Sequence, residues 1–288
     1  MEKDAFSRFH PAVNFCFFVC AIGFAVVIQH PAYLIAGLIC GMGYYLLLTG
    51  RRGWKLLGAM LPMVLLVSLL NPVINTRGET VLFTCWDRPY TLEALCYGGV
   101  LGVMFALMMV WFGCYNLVLT SDKFVCLFGP LIPSLSLLLV MVLRLIPSFM
   151  RRTKQISAAR ESIGRGGSAD SSFRGKVLFG MTTLSALTDW ALEGSIVTAD
   201  SMRSRGYGAA KRTSYRIYRI TVRDWVVLVL ELVLAGIVIA GGPSAEFGKT
   251  ITLSPVTWHY GAYWALLLIP NILAWKEAIT WRILRSKT

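Results

Sequence analysis

The chain has 288 residues, 56% of them hydrophobic and only 15% charged, with a formal net charge of +13. An ordinary soluble domain is roughly 45–50% apolar, and several runs here reach the ~20 apolar residues that a bilayer-crossing helix needs. The composition therefore excludes a soluble domain. The basic excess reads as the Lys/Arg bias of cytoplasmic loops in a polytopic membrane protein, not as a nucleic-acid footprint.

The segment MEKDAFSRFH leads into a first apolar run, Pro11 to about Gln29, with proline at its start, where a helix tolerates it. No small-residue cleavage site follows convincingly, so this run is expected to be a retained first helix. A QHP corner precedes a second run, Ala32 to Leu48, and the basic loop TGRRGWK precedes a third, Leu56 to Leu70, expected to end at Asn71-Pro72. Residues 72–92 mix turn formers with aromatics, as an exposed loop or a shallow re-entrant piece would. A fourth run spans Leu92 to Leu119.

The stretch SDKFVCLFGPLIPSLSLLLVMVLRLIPSFMRR is ambiguous by hydropathy. A span from Phe124 to Ile146 would be interrupted by Pro130 and Pro133 and would contain Arg144. It would also place residues 148–223 outside, with Arg151, Arg152, Lys154, Arg160 and ten further basic residues, against the charge rule. Residues 121–223 are therefore expected on the cytoplasmic side. Two last runs, Trp225 to Ala240 and Tyr260 to Trp275, span outwards and back. With the N-terminus inside, only Arg77, Arg88 and Lys249 of the basic residues fall outside. About six spans result, with both termini cytoplasmic. The expected domains are an N-terminal membrane bundle (1–120), a cytoplasmic insert of long coupling helices (121–223), and C-terminal membrane helices with a basic tail (224–288).

Within the insert one helix is expected from about Ser136 to Ile163, bent near Pro147; Leu145, Phe149, Ile156 and Ile163 recur at steps of four and seven and share a face. A second is expected from about Gly175 to Ser204, dense in small residues such as Ser185, Ala191, Gly194 and Ala199, which let helices cross closely. GRGGSADSSFRG links them.

Both helices finish on a small residue, an arginine and a glycine: Gly164-Arg165-Gly166 and Ser204-Arg205-Gly206. Glycine commonly follows a helix C-terminus because it accepts a left-handed conformation, and arginine in the last turn suits the negative end of the helix dipole. One such ending says little; two in one insert suggest a shared task.

SMRSRGYG (Ser201 to Gly208), with VLRLIPSFMRR (Val142 to Arg152), resembles the transmembrane T component of energy-coupling factor (ECF) transporters, which includes the related cobalt and nickel uptake systems. That family carries two Ala-Arg-Gly motifs at the ends of its coupling helices, the second typically continuing as R-G-[YF]-G. This chain has Gly164 and Ser204 in place of the alanines. The resemblance covers the initial membrane helices, the insert and the return to the membrane. It implies an all-α bundle with crossing coupling helices, and a non-catalytic scaffold in a prokaryotic plasma membrane. It further implies that Arg165 and Arg205 enter grooves on two ABC-type ATPase subunits. Those partners would bind ATP and magnesium, and a small membrane substrate-binding (S) component would capture a vitamin or a cobalt or nickel ion. No cofactor, metal or nucleic acid is expected in the chain itself.

Two near misses fail. GPSAEFGKT (Gly242 to Thr250) has five residues between its glycines where a phosphate-cradling Walker loop has four. AARESIG (Ala158 to Gly164) faintly resembles the Glu-Ala-Ala loop of other importers but lacks the leading glutamate. The seven cysteines form no C-x-x-C pair, and His10, His30 and His259 form no metal-binding spacing. Trp111, Trp258, Tyr260, Tyr263 and Trp264 suit an aromatic belt at the membrane interface. Glu231, inside VLVLELVLAG, is the intramembrane charge that supports a competing reading: a self-sufficient secondary carrier or membrane enzyme using Glu231 and Arg144. A third reading is a basic adaptor binding nucleic acid or anionic lipid through residues 203–223.

Overall fold

A computed structural model describes residues 5–50, 53–75, 80–85, 88–129, 133–164, 172–209, 218–242, 245–247, 251–253, 255 and 257–285. In chain order these form a 3-10 turn (Phe6–Arg8), α1 (Pro11–Val27), α2 (Pro31–Thr49), α3 (Gly53–Ile74), β1 (Val81–Cys85), β2 (Arg88–Thr91), α4 (Leu92–Val118), α5 (Ser121–Phe128), α6 (Pro133–Ser162), α7 (Phe173–Ser204), α8 (Val222–Gly241), β3 (Ala245–Phe247), β4 (Ile251–Leu253) and α9 (His259–Arg285). The protein is an all-α polytopic membrane protein. Its only strands among the described residues are two small antiparallel hairpins, β1–β2 and β3–β4. The first of these replaces the loop or re-entrant piece expected between the third and fourth runs.

The chain divides into two compact units, Met1–Phe124 with Tyr218–Thr288, and Val125–Ile217. In the first, α2, α3, α4 and α8 are long and apolar enough to cross a bilayer. α1 has 17 residues, about 26 Å at 1.5 Å per residue, slightly short of a ~30 Å hydrocarbon core. α9 is long, but its last turns carry KEAITWRILR. α1 and α9 nonetheless contribute to the same buried core as α2, α4 and α8, through residues such as Phe17, Tyr44, Leu107, Val238 and Leu266.

Glycine decides how closely these helices approach. On α4, Gly98 and Gly102 lie four apart and face α3. A Cβ added at Gly98 would sit 2.6 Å from the Asn71 Cβ and 2.8 Å from the Ser68 carbonyl oxygen; one at Gly102 would sit 2.9 Å from the Val64 carbonyl oxygen. On α2, Gly37 and Gly41 repeat the spacing against Leu107, Val110 and Trp111. Packing of this kind drives helix association where the solvent is as apolar as the side chains. α3 also runs past Asn71-Pro72 to Ile74 instead of stopping there. Asn71 Nδ2 donates to the Ala94 carbonyl (2.7 Å) and Asn75 N–H to the Asn71 carbonyl (2.8 Å), so α4 and the following turn hold the last residues helical.

The core is aromatic where α1, α2 and α4 meet. Phe17 packs edge-on against Trp111 (5.5 Å between centroids) and against Phe6 (5.2 Å), while Phe6 packs against Tyr44 (6.2 Å). Trp111 and Tyr263 are fully enclosed, so they are core residues and not members of an interface belt. Trp258, 68% exposed, remains in a belt position.

Candidate functional site

α6 and α7 run antiparallel. Phe149 meets Trp190 edge-on at 5.5 Å, and Arg152 lies over the same indole at 5.8 Å. Eleven residues beyond Phe149 on α6, Arg160 lies over Phe179 at 4.8 Å and donates to Thr182 Oγ1; Phe179 is eleven residues back from Trp190. Equal steps in opposite senses fix the direction. The end of α6 therefore lies beside the first turns of α7. At ~1.5 Å per residue, the stretch from Phe179 to Ser204 puts the end of α7 about 40 Å from it. α6 is one helix through Pro147.

The end of α7 is a Schellman motif. Gly206 is left-handed (φ +75°), its N–H donates to the Arg203 carbonyl (3.0 Å), and the Tyr207 N–H reaches back to the Met202 carbonyl (3.0 Å). These two bonds define that cap. Ser204 is thus the last helical residue, Arg205 the capping residue and Gly206 the first beyond it; all three are exposed. A Cβ on Gly206 would meet nothing, so glycine is required there by backbone conformation and not by contact. Gly208 is also left-handed (φ +93°).

The end of α6 uses its glycine differently. Gly164 has φ +72° and its N–H donates to the Glu161 carbonyl (3.1 Å), so it takes the position that Gly206 takes on α7. Arg165 and Gly166 lie outside the described residues. The two signatures align in sequence but not in cap register: Gly164, the counterpart of helical Ser204, already lies beyond its helix. The arginine is the capping residue on α7 and follows the left-handed glycine on α6.

Chemically, the end of α7 presents two exposed guanidinium groups on a capped backbone, those of Arg203 in the last turn and Arg205 at the cap. Each offers five donors in a rigid fork. They are suited to a carboxylate or to carbonyl groups on a partner, and among the described residues no group of side chains that could hold a metal ion is found.

Comparison with known proteins bears on the readings of this arrangement. No model of a known protein family matches the chain. The curated energy-coupling factor transporter transmembrane protein EcfT of Lacticaseibacillus paracasei is 29% identical over 210 residues, covering 67% of this chain and 77% of that protein. The chain is thus similar to the transmembrane component of an ECF transporter.

The other candidate residues have structural settings. The Nδ1 of His10 accepts the Ala12 N–H and that of His30 the Ala32 N–H, each at 3.2 Å, so both cap helices that begin with proline. The repeated His-Pro-Ala is the signal that could have revealed this. His259 stacks on Trp258 at 4.1 Å. Among the described residues Cys16, Cys20, Cys40, Cys96, Cys114 and Cys126 form no disulfide. The GPSAEFGKT stretch contains strand β3, not the strand–loop–helix of a nucleotide site. Glu231 is fully buried on α8 with no hydrogen-bond partner on either carboxylate oxygen. Arg144 is exposed on α6, in the other unit.

A buried ammonium escaped the sequence reading. Lys123 Nζ donates to the Ser7 carbonyl (2.5 Å), to Ser7 Oγ (2.9 Å) and to the Val118 carbonyl (2.9 Å). Asn14 supplies a fourth oxygen at 3.0 Å while its amide nitrogen donates to the Phe6 carbonyl at 2.9 Å.

Proposed function

We propose that this protein is the non-catalytic scaffold of an ATP-driven importer. It couples two cytoplasmic ABC-type ATPase subunits to a small substrate-binding membrane subunit that takes up a vitamin or a cobalt or nickel ion. The observation that carries this reading is the exposed Arg205 at the rigid Schellman end of a 32-residue helix. Kinship with an ECF transmembrane protein supports it. The helix pair gives the mechanism its lever: the two signature ends stand about 40 Å apart along α7, far enough for each to engage a different ATPase.

On this reading each arginine enters an acidic or carbonyl-lined groove, and closure of the ATPases on ATP moves the helix ends. The exposed apolar residues of the pair, such as Leu178, Met181, Leu192 and Ile196, pass that movement to the substrate-binding subunit. Nucleotide and magnesium belong to the ATPases. The insert and both termini face the cytoplasm of a prokaryotic cell, as the basic residues demand.

Detergent co-purification with the candidate ATPase pair tests the proposal, comparing wild type with Arg165→Glu, Arg205→Glu and the double variant. Losing one partner of a buried charged pair costs on the order of 2–5 kcal/mol, so the double variant is expected to lose both ATPases while eluting as a folded protein. A wild type that retains no ATPase, or variants that bind as well as it does, would sink the reading and leave the Glu231 carrier in its place.

A further inference from the structure

An open cleft on the helix pair lies away from the end of α7. It lies a few turns before the end of α6, has a volume of about 190 Å³, and is lined by Ser148, Arg151, Arg152, Gln155 and Trp190. The four α6 residues follow the spacing i, i+3, i+4, i+7 and so share one stripe of the helix. No carboxylate lines the cleft. Arg152 is held in place before any ligand arrives: its guanidinium lies over the Trp190 ring at 5.8 Å and its Nη1 donates to Gln155 Oε1 at 3.3 Å. Two guanidinium groups, a hydroxyl and an amide facing one open cavity make a receptor for a tetrahedral oxyanion.

The position of the cleft along α6 narrows the ligand. Before Ser148 the helix is almost wholly apolar, LSLLLVMVLRLIP, and after Met150 it turns basic, RRTKQ. The stripe that bears the arginines continues backwards through exposed Leu145 to exposed Leu138. Arg152 and Leu138 are separated by about 21 Å of helix, more than the ~15 Å depth of one leaflet of acyl chain. Trp190 is amphipathic, and such side chains favour the boundary between hydrocarbon and water. A free phosphate needs the arginines but not the apolar track. Basic pockets joined to an apolar surface are the usual recognition site of anionic lipid headgroups.

We propose that Ser148, Arg151, Arg152, Gln155 and Trp190 bind the phosphate headgroup of an anionic phospholipid whose acyl chains lie along Leu145 and Leu138. The site is separate from Arg165 and Arg205 and does not depend on the ATPase-coupling reading.

The test uses the full chain in nanodiscs containing phosphatidylglycerol and phosphatidylcholine at equal mole fraction, then counts by mass spectrometry the lipids retained after detergent exchange. Wild type is compared with Arg151→Gln/Arg152→Gln, and with Arg174→Gln/Lys176→Gln, which removes the same charge elsewhere on the pair. Wild type and the Arg174/Lys176 variant are expected to retain phosphatidylglycerol preferentially, and the Arg151/Arg152 variant to lose that preference by roughly tenfold, with helicity unchanged in all three. Millimolar inorganic phosphate should displace none of it. Equal loss in both variants would reduce the effect to diffuse charge, and displacement by phosphate would make this a soluble-anion site. Displacement by the ATPase subunits would assign the cleft to a protein surface. Any of these, or an unchanged preference in the Arg151/Arg152 variant, overturns the proposal.

Discussion

Lys123 and Ser7 lie 116 positions apart in sequence, yet the Lys123 ammonium donates to both the carbonyl and the hydroxyl of Ser7. The pair is one of several contacts that gather on the short segment from Phe6 to His10. The Asp224 carboxylate accepts the His10 N–H at 3.1 Å while closing a capping box with Thr221, Arg223 lies over the Phe9 ring at 4.4 Å, and Arg8 pairs with Glu277 at 2.8 Å. Lys123 sits just before the chain leaves the membrane unit, and Arg223 and Asp224 sit just after it returns. Both crossing points are therefore fastened to the same short segment, Phe6 to His10.

Replacing Lys123 by methionine keeps the stem and removes the charge, stranding the Ser7 and Val118 carbonyls and the Asn14 amide. A buried acceptor left unpaired costs ~1–3 kcal/mol. The expected loss is about 3 kcal/mol, read as an earlier midpoint in an SDS-titration unfolding curve of the detergent-purified protein, with Lys123→Arg partly retaining stability. An unchanged midpoint for Lys123→Met would mean that the clasp carries no load.

Adjacent glycines on α4 separate contact from composition. Gly98→Ala places a methyl against backbone and the Asn71 Cβ, where nothing flexible can yield, and overpacking of this sort costs ~1–3 kcal/mol. Gly99→Ala, whose nearest neighbour would be Ser68 Oγ at 3.7 Å, adds a helix former in open space and is expected to be neutral or to stabilise by up to ~1 kcal/mol. Equal effects of the two substitutions on thermal stability would contradict the close α3–α4 packing.

His10 makes the first helix cap sensitive to pH. Burial pushes its imidazole pKa below the ordinary value, and the neighbouring Asp224 carboxylate opposes this only in part; Nδ1 must stay unprotonated to accept from Ala12. A group whose folded pKa is lowered gives stability that is complete above its unfolded pKa, about 6.5, and is lost as pH falls below that value towards the folded pKa. An N-cap contributes ~1 kcal/mol, and partial exposure limits the swing to less than that. The wild type should therefore lose stability as pH falls below about 6.5 relative to His10→Asn, which caps without titrating. Parallel melting curves across that range would rule the cap out as a pH-sensitive element.

Glu231 tests the competing carrier. Both carboxylate oxygens are buried without a partner, and an unpartnered buried polar group costs ~1–3 kcal/mol on the evidence of protein substitutions. Glu231→Met, similar in volume, is expected to raise thermal stability by about that amount and to leave ATP-driven uptake unchanged. A stabilised variant that has lost uptake would instead show that the acid serves transport.

The helices were legible where one pattern dominated. α1, α2, α4, α8 and α9 follow the apolar runs, and α7 follows its three-four spacing to Ser204 as expected. α3 outran its Asn-Pro stop because Asn71 finds its partner 23 residues away on α4, and no local rule sees that. The hairpin β1–β2 was hidden in a mixed stretch without alternation. Trp111 and Tyr263 were misread because an aromatic in a membrane protein suits either a belt or a core, and only the packing of α1, α2, α4 and α9 decides. Lys123 could not be recognised, since its oxygens come from three separate segments. The signature at Gly164 was visible as residues but not as a cap: sequence alignment pairs Gly164 with Ser204, whereas the backbone pairs it with Gly206.

That difference in register predicts unequal sensitivity to the same substitution. At Gly206 a side chain must adopt φ +75°, costing roughly 1 kcal/mol, and relief of that strain opens the Schellman bonds that hold Arg205. Gly206→Ala should thus weaken ATPase retention although Arg205 is intact, and Gly206→Asn, which tolerates the left-handed region, should restore most of it. On α6 the corresponding strain lies at Gly164 (φ +72°), one residue before Arg165. Gly164→Ala should therefore weaken retention while Gly164→Asn does so far less, even though alanine is the residue the related motif carries at that place in sequence. Retention of both ATPases by Gly164→Ala at wild-type level, with Gly206→Ala impaired, would show that the α6 end tolerates the shift in register.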